Sequence, residues 1–507
     1  MLWSSLLQFR AMRVEERPYA LYIFIAVLAA LLLAASRLTS SWDEGFHWIA
    51  AGLINAGKTP YVDFFYQQPP GYAYANAWWM RVFGESWGSS HVFSSLLTTG
   101  AVLLTASFVF SRLASFGWGL AGAFTAAVFT ALQVTAIQFG TIAQPYALCL
   151  FLTVCSFRLA IGVVEGKGIA ALASGFCAGA AAASSLLCSP VAPTLLLWLW
   201  LYNLAGSRWR KCGLFLAGAI VPGALTLWVA RRALNAAWFD IFQYHFSYRQ
   251  VAPGVTGDAF LGSLQRVAAE WLGSSQDTCL LILAVVGALF VFGGGAFEGR
   301  RQAEFRLCAW LAIALSVLAG CAHPTYLQYF IFTLPFLGIL APVGVCAIGL
   351  RVWTAGKPGW LAMLVAAFFC LDAARWVYSE YRTGFSSPWS HWEAIGQLAN
   401  RVTPPGGLVY AHEVIFVGAR RLPPSGLENF YAGGLELPSS LADAIHAMPH
   451  RQWIEWLKEG RFDTAVISLS EIGGEDLDLV SHLYRNSRKL DDGNGWLTIM
   501  FWNRQSH

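Results

Sequence analysis

The chain has 507 residues, of which 56% are hydrophobic and only 12% carry charged side chains. Soluble domains usually have about 25% charged residues, so this composition excludes a protein that covers itself with polar surface in water. The formal net charge is only +4, and no basic patch with interleaved aromatic residues suggests a nucleic-acid partner. The sequence therefore predicts an integral membrane protein.

The apolar runs predict about eleven transmembrane helices, since a span needs roughly 20 mostly apolar residues. The first run is also compatible with a signal peptide, although its length favours a membrane helix. Residues 1–378 are predicted to form an all-α polytopic membrane domain. The predicted spans are 19–36, 91–111, 116–139, 143–163, 169–187, 190–205, 212–230, 279–297, 306–321, 325–350 and 359–378.

The charge distribution predicts the orientation of these helices. Three arginines lie within the first 17 residues, and alternation of the spans places the other short basic connections on the same side. The short connections near 140–143, 188–190 and 321–326 contain no Lys or Arg. This is the positive-inside pattern, and it predicts a multi-pass protein of the inner (plasma) membrane with a cytoplasmic N-terminus.

Three larger segments are predicted to be extracytoplasmic, namely residues 37–90, 231–278 and 379–507. The last alternates helical patterns with short runs of strand-forming residues. The predicted helices are Trp392–Val402, Arg451–Lys458 and Leu477–Tyr484, and the predicted strands are Leu408–Tyr410, Thr464–Ser468 and Trp496–Trp502. We expect this segment to form a small soluble α/β domain.

The most informative stretch is residues 42–83, which begins with Trp42-Asp43-Glu44 directly after the first predicted span. Acidic side chains at a membrane edge are costly unless water or a ligand meets them, so they indicate function. The same residues are compatible with an ordinary interfacial loop, in which Asp43 caps a helix that ends at Gly57. Residue chemistry alone leaves both interpretations open.

The continuation of this loop, Pro60-Tyr61-Val62-Asp63-Phe64-Phe65-Tyr66-Gln67-Gln68-Pro69-Pro70-Gly71-Tyr72, resembles the first external loop of the GT-C glycosyltransferases. It is most similar to the protein O-mannosyltransferase and aminoarabinose transferase group, which is glycosyltransferase family 39-like. A second element, His323-Pro324-Thr325 followed by Tyr329 and Pro335, resembles a late external-loop signature of the same class. The similarity also includes helix number, orientation and the C-terminal domain.

The resemblance implies an inverting glycosyltransferase that moves a hexose or pentose from a polyprenyl-phosphate carrier to an extracytoplasmic acceptor. The acceptor is expected to be a glycolipid, a polysaccharide or a protein. Membrane lipid is expected to surround the enzyme. By resemblance, Asp43 is the base that takes the acceptor proton, and Glu44 and Asp63 orient the sugar or the base. Asp63 is equally compatible with a simple turn acid.

The candidate substrate-binding residues are His47, Lys58, Tyr66, Gln67, Gln68, Arg81, Arg249, His323 and Tyr329. His47 follows Asp43 by one helical turn and is compatible with tuning the base, binding the acceptor or holding a metal. Two ligands without a third are weak evidence for a metal, so no metal and no cofactor are expected.

The sequence departs from the family pattern at one important place. Many relatives have a cation just before the Pro-Pro pair, where it meets the phosphate, whereas this chain has Gln67 and Gln68. Gln328 likewise replaces a cation before Tyr329. The phosphate contact must therefore come from elsewhere or from weaker amide hydrogen bonds. The cationic candidates on the same predicted side are Lys58, Arg81, Arg249, His323 and Arg375.

Two other functions remain open from the sequence. A lipid or solute transporter would have polar residues along a path through the membrane, whereas the helices 91–111 and 279–297 are almost free of ionisable groups. A non-catalytic binding protein of the same fold is compatible with the missing cation. The loop 231–278 is compatible with a sugar-binding rim and equally with a plain interfacial helix. If the protein is an enzyme, we expect the acidic residues of the first loop and His323 to lie together in one cavity.

Overall fold

In the computed structural model the chain is a bundle of helices with a small sheet near its C-terminal end. The structure describes residues 17–37, 41, 43–165, 168–202, 207–248, 260–293, 297, 299–352, 359–383, 389–468, 472, 474–491 and 497–503. The helices of the bundle are Arg17–Arg37, Glu44–Asn55, Gly71–Phe83, Trp87–Leu113, Gly119–Ala131, Val134–Phe139, Pro145–Val164, Ala170–Ala182, Val191–Tyr202, Arg208–Ala230, Leu234–Trp238, Phe260–Gly273, Ser275–Phe292, Gly299–Cys321, Leu334–Val352 and Gly359–Thr383.

The helical membrane architecture predicted from the sequence is confirmed. Among the described residues, six helices are long and apolar enough to span a membrane, and four further apolar helices are shorter. The six are Trp87–Phe116, Pro145–Val164, Arg208–Ala230, Ser275–Phe292, Gly299–Cys321 and Leu327–Gly349. The protein is therefore a multi-pass membrane protein. The number of eleven spans and the orientation of the termini stay predictions.

One predicted span, 116–139, is divided into two helices by an interruption at Leu132 and Gln133. The Gln133 side chain accepts a hydrogen bond from the Thr135 amide at 2.7 Å. Gln276, on a neighbouring helix, donates to the Leu132 carbonyl at 3.2 Å and accepts from the Val134 amide at 3.3 Å. These side chains satisfy the backbone groups that the interruption releases, which hydrophobicity alone does not reveal.

Small residues allow the closest helix contacts inside the bundle. A Cβ atom added to Gly287 would lie 2.1 Å from the Leu340 carbonyl oxygen, and one added to Gly344 would lie 2.0 Å from that of Leu283. The helices Ser275–Phe292 and Leu334–Val352 therefore meet backbone to backbone. Such contacts are typical of membrane helix pairs, where close packing replaces the hydrophobic drive.

The C-terminal part contains the predicted mixture of helices and strands. Its sheet has the order β1-β2-β4-β3, with a parallel β1–β2 pair and antiparallel β2–β4 and β4–β3 pairs. The strands are β1 Val409–Tyr410, β2 Thr464–Ser468, β3 Asn486–Asp491 and β4 Leu497–Trp502. The helices are Trp389–Val402, Glu413–Ala419, Phe430–Gly433, Ser439–Ala444, His450–Lys458 and Gly474–Leu483.

Strand β3 was not predicted, because its sequence NSRKLD is polar and lacks β-branched residues. It lies at the edge of the sheet, where polar and basic residues discourage further strand pairing. Its position follows from pairing with β4, which runs from Asn486 opposite Trp502 to Asp491 opposite Leu497. The division of the chain at residues 378 and 379 stays a prediction.

The C-terminal part packs directly on the first loop of the bundle. A Cβ atom on Gly45 would lie 2.4 Å from the Cβ of Glu413, so only glycine permits this approach. The rings of Trp87 and Trp389 stack with their centroids 4.0 Å apart. One buried apolar cluster contains residues of both parts, including Phe46 and Val414. The first loop and the C-terminal part are therefore in direct contact.

We predict that Gly344→Leu will destabilise the protein, because the added side chain has no space against the Leu283 carbonyl. Overpacking of this kind costs about 1–3 kcal/mol, and the thermal midpoint of the purified protein should fall by several degrees. The matched control is Gly213→Leu, at a helical glycine whose added Cβ meets no atom within 4 Å. Equal midpoints for the two variants would contradict the packing described here.

Candidate active site

A cavity of about 1080 Å³ lies between the helical bundle and the C-terminal part. The first loop contributes Asp43, Phe46, His47, Gln67, Gln68 and Pro69 to its wall. The bundle adds residues from three segments of the chain to the cavity wall. These segments are Gln144 to Tyr146, Ser185 to Ser189 and Leu318 to Tyr329, and most but not all of their residues line the cavity. The helical segment Phe239–Tyr248 and residues between 410 and 453 complete the enclosure. This volume is large enough for a sugar and part of its carrier.

Asp43 lies on the cavity wall immediately before the helix Glu44–Asn55. Its side chain makes no capping hydrogen bond to that helix, so the capping role that the sequence left open is not used. The carboxyl group is half-buried at the cavity surface. Gly57, with a φ of 86°, follows the end of the helix as the sequence predicts.

His47 lines the same wall one helical turn later. Its Nδ1 is 2.9 Å from the Tyr66 hydroxyl in a buried hydrogen bond. Burial lowers the pKa of His47 to about 3, so its imidazole is neutral at physiological pH. Burial also raises the pKa of Tyr66 above its usual value, so the phenol keeps its proton. This pair therefore offers hydrogen bonds but no positive charge.

Glu44 is fully buried beside Asp43 but does not line the cavity. Its Oε2 accepts from the Ala143 amide at 2.6 Å and lies 2.6 Å from the His91 Nε2. Its Oε1 accepts from the Ser41 amide at 2.7 Å. Glu44 thus joins the start of the first-loop helix to two other parts of the bundle, which fixes the position of Asp43.

Asp63 lies on the opposite, exposed side of the loop. Its Oδ2 accepts from the Thr59 amide at 2.7 Å, as a turn acid does. Beside it, Tyr61 has a φ of 67°, and its hydroxyl donates to the Gln68 carbonyl at 2.6 Å. The compact turn directs Gln67 and Gln68 toward the cavity, whereas Asp63 does not reach it.

The segment Phe239–Tyr248 holds the far end of this loop. The buried Asp240 accepts a hydrogen bond from the Tyr66 amide at 3.0 Å, and burial raises the pKa of this carboxyl well above its usual value. His245 Nε2 donates to the Gln67 carbonyl at 2.7 Å. The segment is a π-helix, a rare conformation that is frequent at functional sites. It positions the glutamines while Tyr244 and His245 line the cavity.

The third wall comes from the connection between the helices Gly299–Cys321 and Leu334–Val352. His323, Tyr326, Gln328 and Tyr329 of this connection line the cavity. His323 therefore shares a cavity with Asp43, as the sequence analysis expects of an enzyme, whereas Glu44 and Asp63 do not line it. The motif that begins at His323 therefore contributes hydrogen-bonding side chains to the cavity wall, in addition to those of the first loop.

Four predicted substrate-binding residues lie away from the cavity wall or outside the described residues. Tyr66 is behind the wall and contacts His47. Lys58 is half-buried and close enough to Glu428 to lower the pKa of that carboxyl, although burial dominates and raises it to about 7. Arg81 is exposed, and Arg249 lies outside the described residues.

The part of the chain that the structure describes places no Lys or Arg on the cavity wall. Arg375, another cationic candidate, is exposed on the helix Gly359–Thr383. The same described ranges contain no group of three His, Cys, Asp or Glu side chains arranged to hold a metal ion. The polar side chains that these ranges place on the wall include Gln67, Gln68, His323 and Gln328.

The sequence analysis selected no individual cavity residue from the C-terminal part and none from the bundle before residue 231 other than those of the first loop. The cavity also contacts Gln144 and Tyr146, and His91 supports Glu44 from behind. A histidine at the start of an otherwise apolar helix was the one available signal for His91. The C-terminal wall residues that were missed are Tyr410, Ala411, Leu427, Asn429, Gly433, Gly434, His450 and Trp453.

The fold matches solved membrane enzymes of the GT-C superfamily. The aminoarabinose transferase ArnT from Cupriavidus metallidurans bound to undecaprenyl phosphate has a TM-score of 0.63 at 13% identity, with 95% of this chain and 98% of ArnT covered. Its apo structure has a TM-score of 0.64 at 12% identity, with 95% and 97% covered. This protein therefore has the GT-C fold.

The archaeal oligosaccharyltransferase AglB from Archaeoglobus fulgidus, in complex with an inhibitory peptide and a dolichol-phosphate, has a TM-score of 0.50 at 12% identity. The alignment covers 96% of this chain and 74% of AglB. No protein-family model and no curated protein matches the sequence. At these identities the likeness establishes the fold alone.

We predict that the buried His47 makes the protein less stable at acidic pH. An unfolded histidine binds a proton near pH 6.5, whereas folded His47 does so only near pH 3, so stability falls as the pH decreases between these values. The upper limit of this loss is about 2 kcal/mol at pH 5. In His47→Gln, the difference between the thermal midpoints at pH 7.5 and pH 5 should shrink.

The matched control for this measurement is His482→Gln, at an exposed histidine of the helix Gly474–Leu483. It should keep the pH dependence of the unmodified protein. Comparison with the unmodified protein is needed because Glu428, whose pKa burial raises to about 7, shifts stability in the opposite direction over part of this range. An unchanged pH dependence in His47→Gln would contradict the neutral, buried state of His47.

Proposed function

We propose that this protein is an inverting glycosyltransferase that moves a sugar from a polyprenyl-phosphate carrier to a hydroxyl acceptor. The observation that carries the proposal is the placement of Asp43 on the wall of a cavity enclosed by the first loop, the late connection and the C-terminal part. A carboxylate at the wall of such a cavity that makes no capping hydrogen bond to its helix is suited to general-base catalysis.

The structural neighbours support a lipid-phosphate donor. ArnT was crystallised with undecaprenyl phosphate, and AglB forms a complex with a dolichol-phosphate and a peptide. Because both have the fold of this chain, a polyprenyl-phosphate sugar is the donor class we propose. Its apolar chain would remain in the membrane, and its sugar would occupy the cavity. We place this cavity on the extracytoplasmic side, as the positive-inside pattern predicts.

In the proposed step Asp43 accepts the proton of the acceptor hydroxyl as its oxygen attacks the anomeric carbon. A new glycosidic C–O bond forms, and the bond from the anomeric carbon to the phosphate oxygen breaks. The electron pair of that bond leaves with the polyprenyl phosphate, which is a good leaving group. In-line attack inverts the anomeric configuration. No metal is part of this step, so a chelator should leave the rate unchanged.

Glu44 acts as a positioning residue in this proposal, because its three hydrogen bonds fix the backbone that carries Asp43. His47 is neutral and offers hydrogen bonds to a sugar or an acceptor hydroxyl. Asp63 has the contacts of a turn acid. We therefore assign the chemistry to Asp43 and the support of the site to Glu44.

We further propose that amide and imidazole groups contact the donor phosphate. Gln67, Gln68, His323 and Gln328 all line the cavity. The groups that would donate to the phosphate are the Nε2 amides of the three glutamines and the imidazole N–H of His323. Amide donors form weaker contacts with an anion than charged groups do. The expected result is a donor that binds with modest affinity and low sensitivity to salt.

We predict that Asp43→Asn abolishes transfer, because the amide cannot accept the acceptor proton. General-base catalysis contributes roughly 10²- to 10⁴-fold, so release of free polyprenyl phosphate from a panel of polyprenyl-phosphate sugars should fall by at least about 100-fold. Undecaprenyl phosphate should still bind. The control is Asp443→Asn, at an exposed acid of the helix Ser439–Ala444. Normal turnover in Asp43→Asn would refute its role as the base.

We predict that Gln68→Lys strengthens the binding of undecaprenyl phosphate, because the half-buried side chain lies on the cavity wall and a lysine there supplies the missing cation. The dissociation constant should decrease about 3- to 10-fold at low salt, and the gain should diminish in high salt. The control is Gln397→Lys, which adds the same charge on an exposed helix face. An equal effect of both variants would indicate non-specific attraction.

A further inference from the structure

The C-terminal wall of the cavity contains stacked aromatic side chains. The rings of Tyr410 and Trp453 are nearly parallel, with an angle of 16° and centroids 4.7 Å apart. The His450 ring meets Trp453 edge-on at 4.9 Å. All three residues line the cavity. The indole N–H of Trp453 donates to the Gly433 carbonyl at 2.8 Å, so this ring is held in place at the cavity wall.

Asn429 adds a hydrogen-bond donor to the same wall. It lines the cavity and is only 2% exposed. Its Oδ1 accepts a hydrogen bond from the Ala432 amide at 3.1 Å, which fixes the side-chain orientation. Its Nδ2 has no hydrogen-bond partner among the residues that the structure describes. A buried amide without a partner is costly, which indicates that a ligand completes the site.

The wall contains one imidazole, that of His450. The other described residues of this wall, besides Tyr410, Asn429 and Trp453, are Ala411, Leu427, Gly433 and Gly434. The described part of the wall therefore presents neither a carboxylate nor a Lys or Arg side chain. The wall therefore suits a neutral ligand that has both apolar faces and hydroxyl edges. A sugar ring has this combination, because its C–H groups lie against aromatic surfaces while its hydroxyls exchange hydrogen bonds with amides.

We propose that Tyr410, Asn429, His450 and Trp453 form an acceptor subsite for a neutral sugar ring, so that the acceptor is a glycan. This assignment rests on the proposed function for its role in transfer, but the binding of sugar to the wall does not. The donor chemistry takes place at Asp43 on the opposite wall. The C-terminal part therefore selects the acceptor, and the first loop performs the reaction.

The experiment is saturation-transfer difference NMR on the full chain in lipid nanodiscs. The protein's aromatic protons are saturated, and the probes are maltose, cellobiose, lactose, N,N′-diacetylchitobiose and a neutral peptide rich in Ser and Thr. At least one disaccharide should receive saturation on its ring C–H protons. In Asn429→Asp, which keeps the acceptor for the Ala432 amide, its affinity should fall about tenfold, as loss of one hydrogen bond predicts.

The matched control is Asn503→Asp, at an exposed asparagine whose Oδ1 likewise accepts a backbone amide, that of Arg485 at 3.1 Å. It should bind the disaccharide as the unmodified protein does. If Asn429→Asp does not fold, His450→Ala provides the same test, because it removes a ring of the wall and leaves the Asn429 contact intact. Saturation of none of the disaccharides, saturation of the peptide alone, or equal affinity in the wall variant would overturn the proposal.

Undecaprenyl phosphate binding, measured on the same samples, separates this proposal from the proposed function. A wall variant that loses the disaccharide but keeps undecaprenyl phosphate supports a separate acceptor subsite. Disaccharide binding without any undecaprenyl phosphate binding would refute the lipid-phosphate donor and leave the sugar-binding wall standing. Undecaprenyl phosphate binding without disaccharide binding would refute the wall alone.

Discussion

The position of Asp43 depends on the buried carboxylate next to it. Glu44 connects the Ser41 amide, the Ala143 amide and the His91 ring within one fully buried group of hydrogen bonds. A buried charged or polar group is stable only when its hydrogen bonds are made, so this arrangement is sensitive to any displacement. It fixes the first-loop helix against two other parts of the bundle. The carboxyl group of Asp43 consequently lies at the cavity rather than on the helix end.

Among the described residues, no Lys or Arg side chain lines the cavity, in contrast to an ordinary anion site. Gln67 and Gln68 are aimed inward by a turn that Tyr61 and His245 stabilise through two carbonyl hydrogen bonds. The loop architecture is thus retained although the expected cation is missing. In the proposed reaction the phosphate is a leaving group that remains anionic, and hydrogen bonds replace the charge that would otherwise hold it.

The C-terminal part has two physical roles. It packs against the first-loop helix through the close contact at Gly45 and against the start of the helix Trp87–Leu113 through the Trp87–Trp389 stack. It also supplies aromatic and amide side chains to the wall of the cavity that Asp43 lines. Because one contact surface provides both, loss of the C-terminal part would expose apolar residues and open the cavity to water. In the proposed function, stability and acceptor recognition are therefore linked in this region.

The sequence by itself determined the membrane class, the GT-C fold and most helix positions, because hydrophobic runs and local motifs are one-dimensional signals. It also selected Asp43, His47, Gln67, Gln68 and His323, all of which line the cavity. Only the tertiary structure separated Asp43 from Glu44 and Asp63, since burial and hydrogen-bond partners distinguish adjacent acids. It alone revealed Asn429 and Trp453, because folding brings them to the cavity from positions about 400 residues after Asp43 in the chain, which no local pattern records.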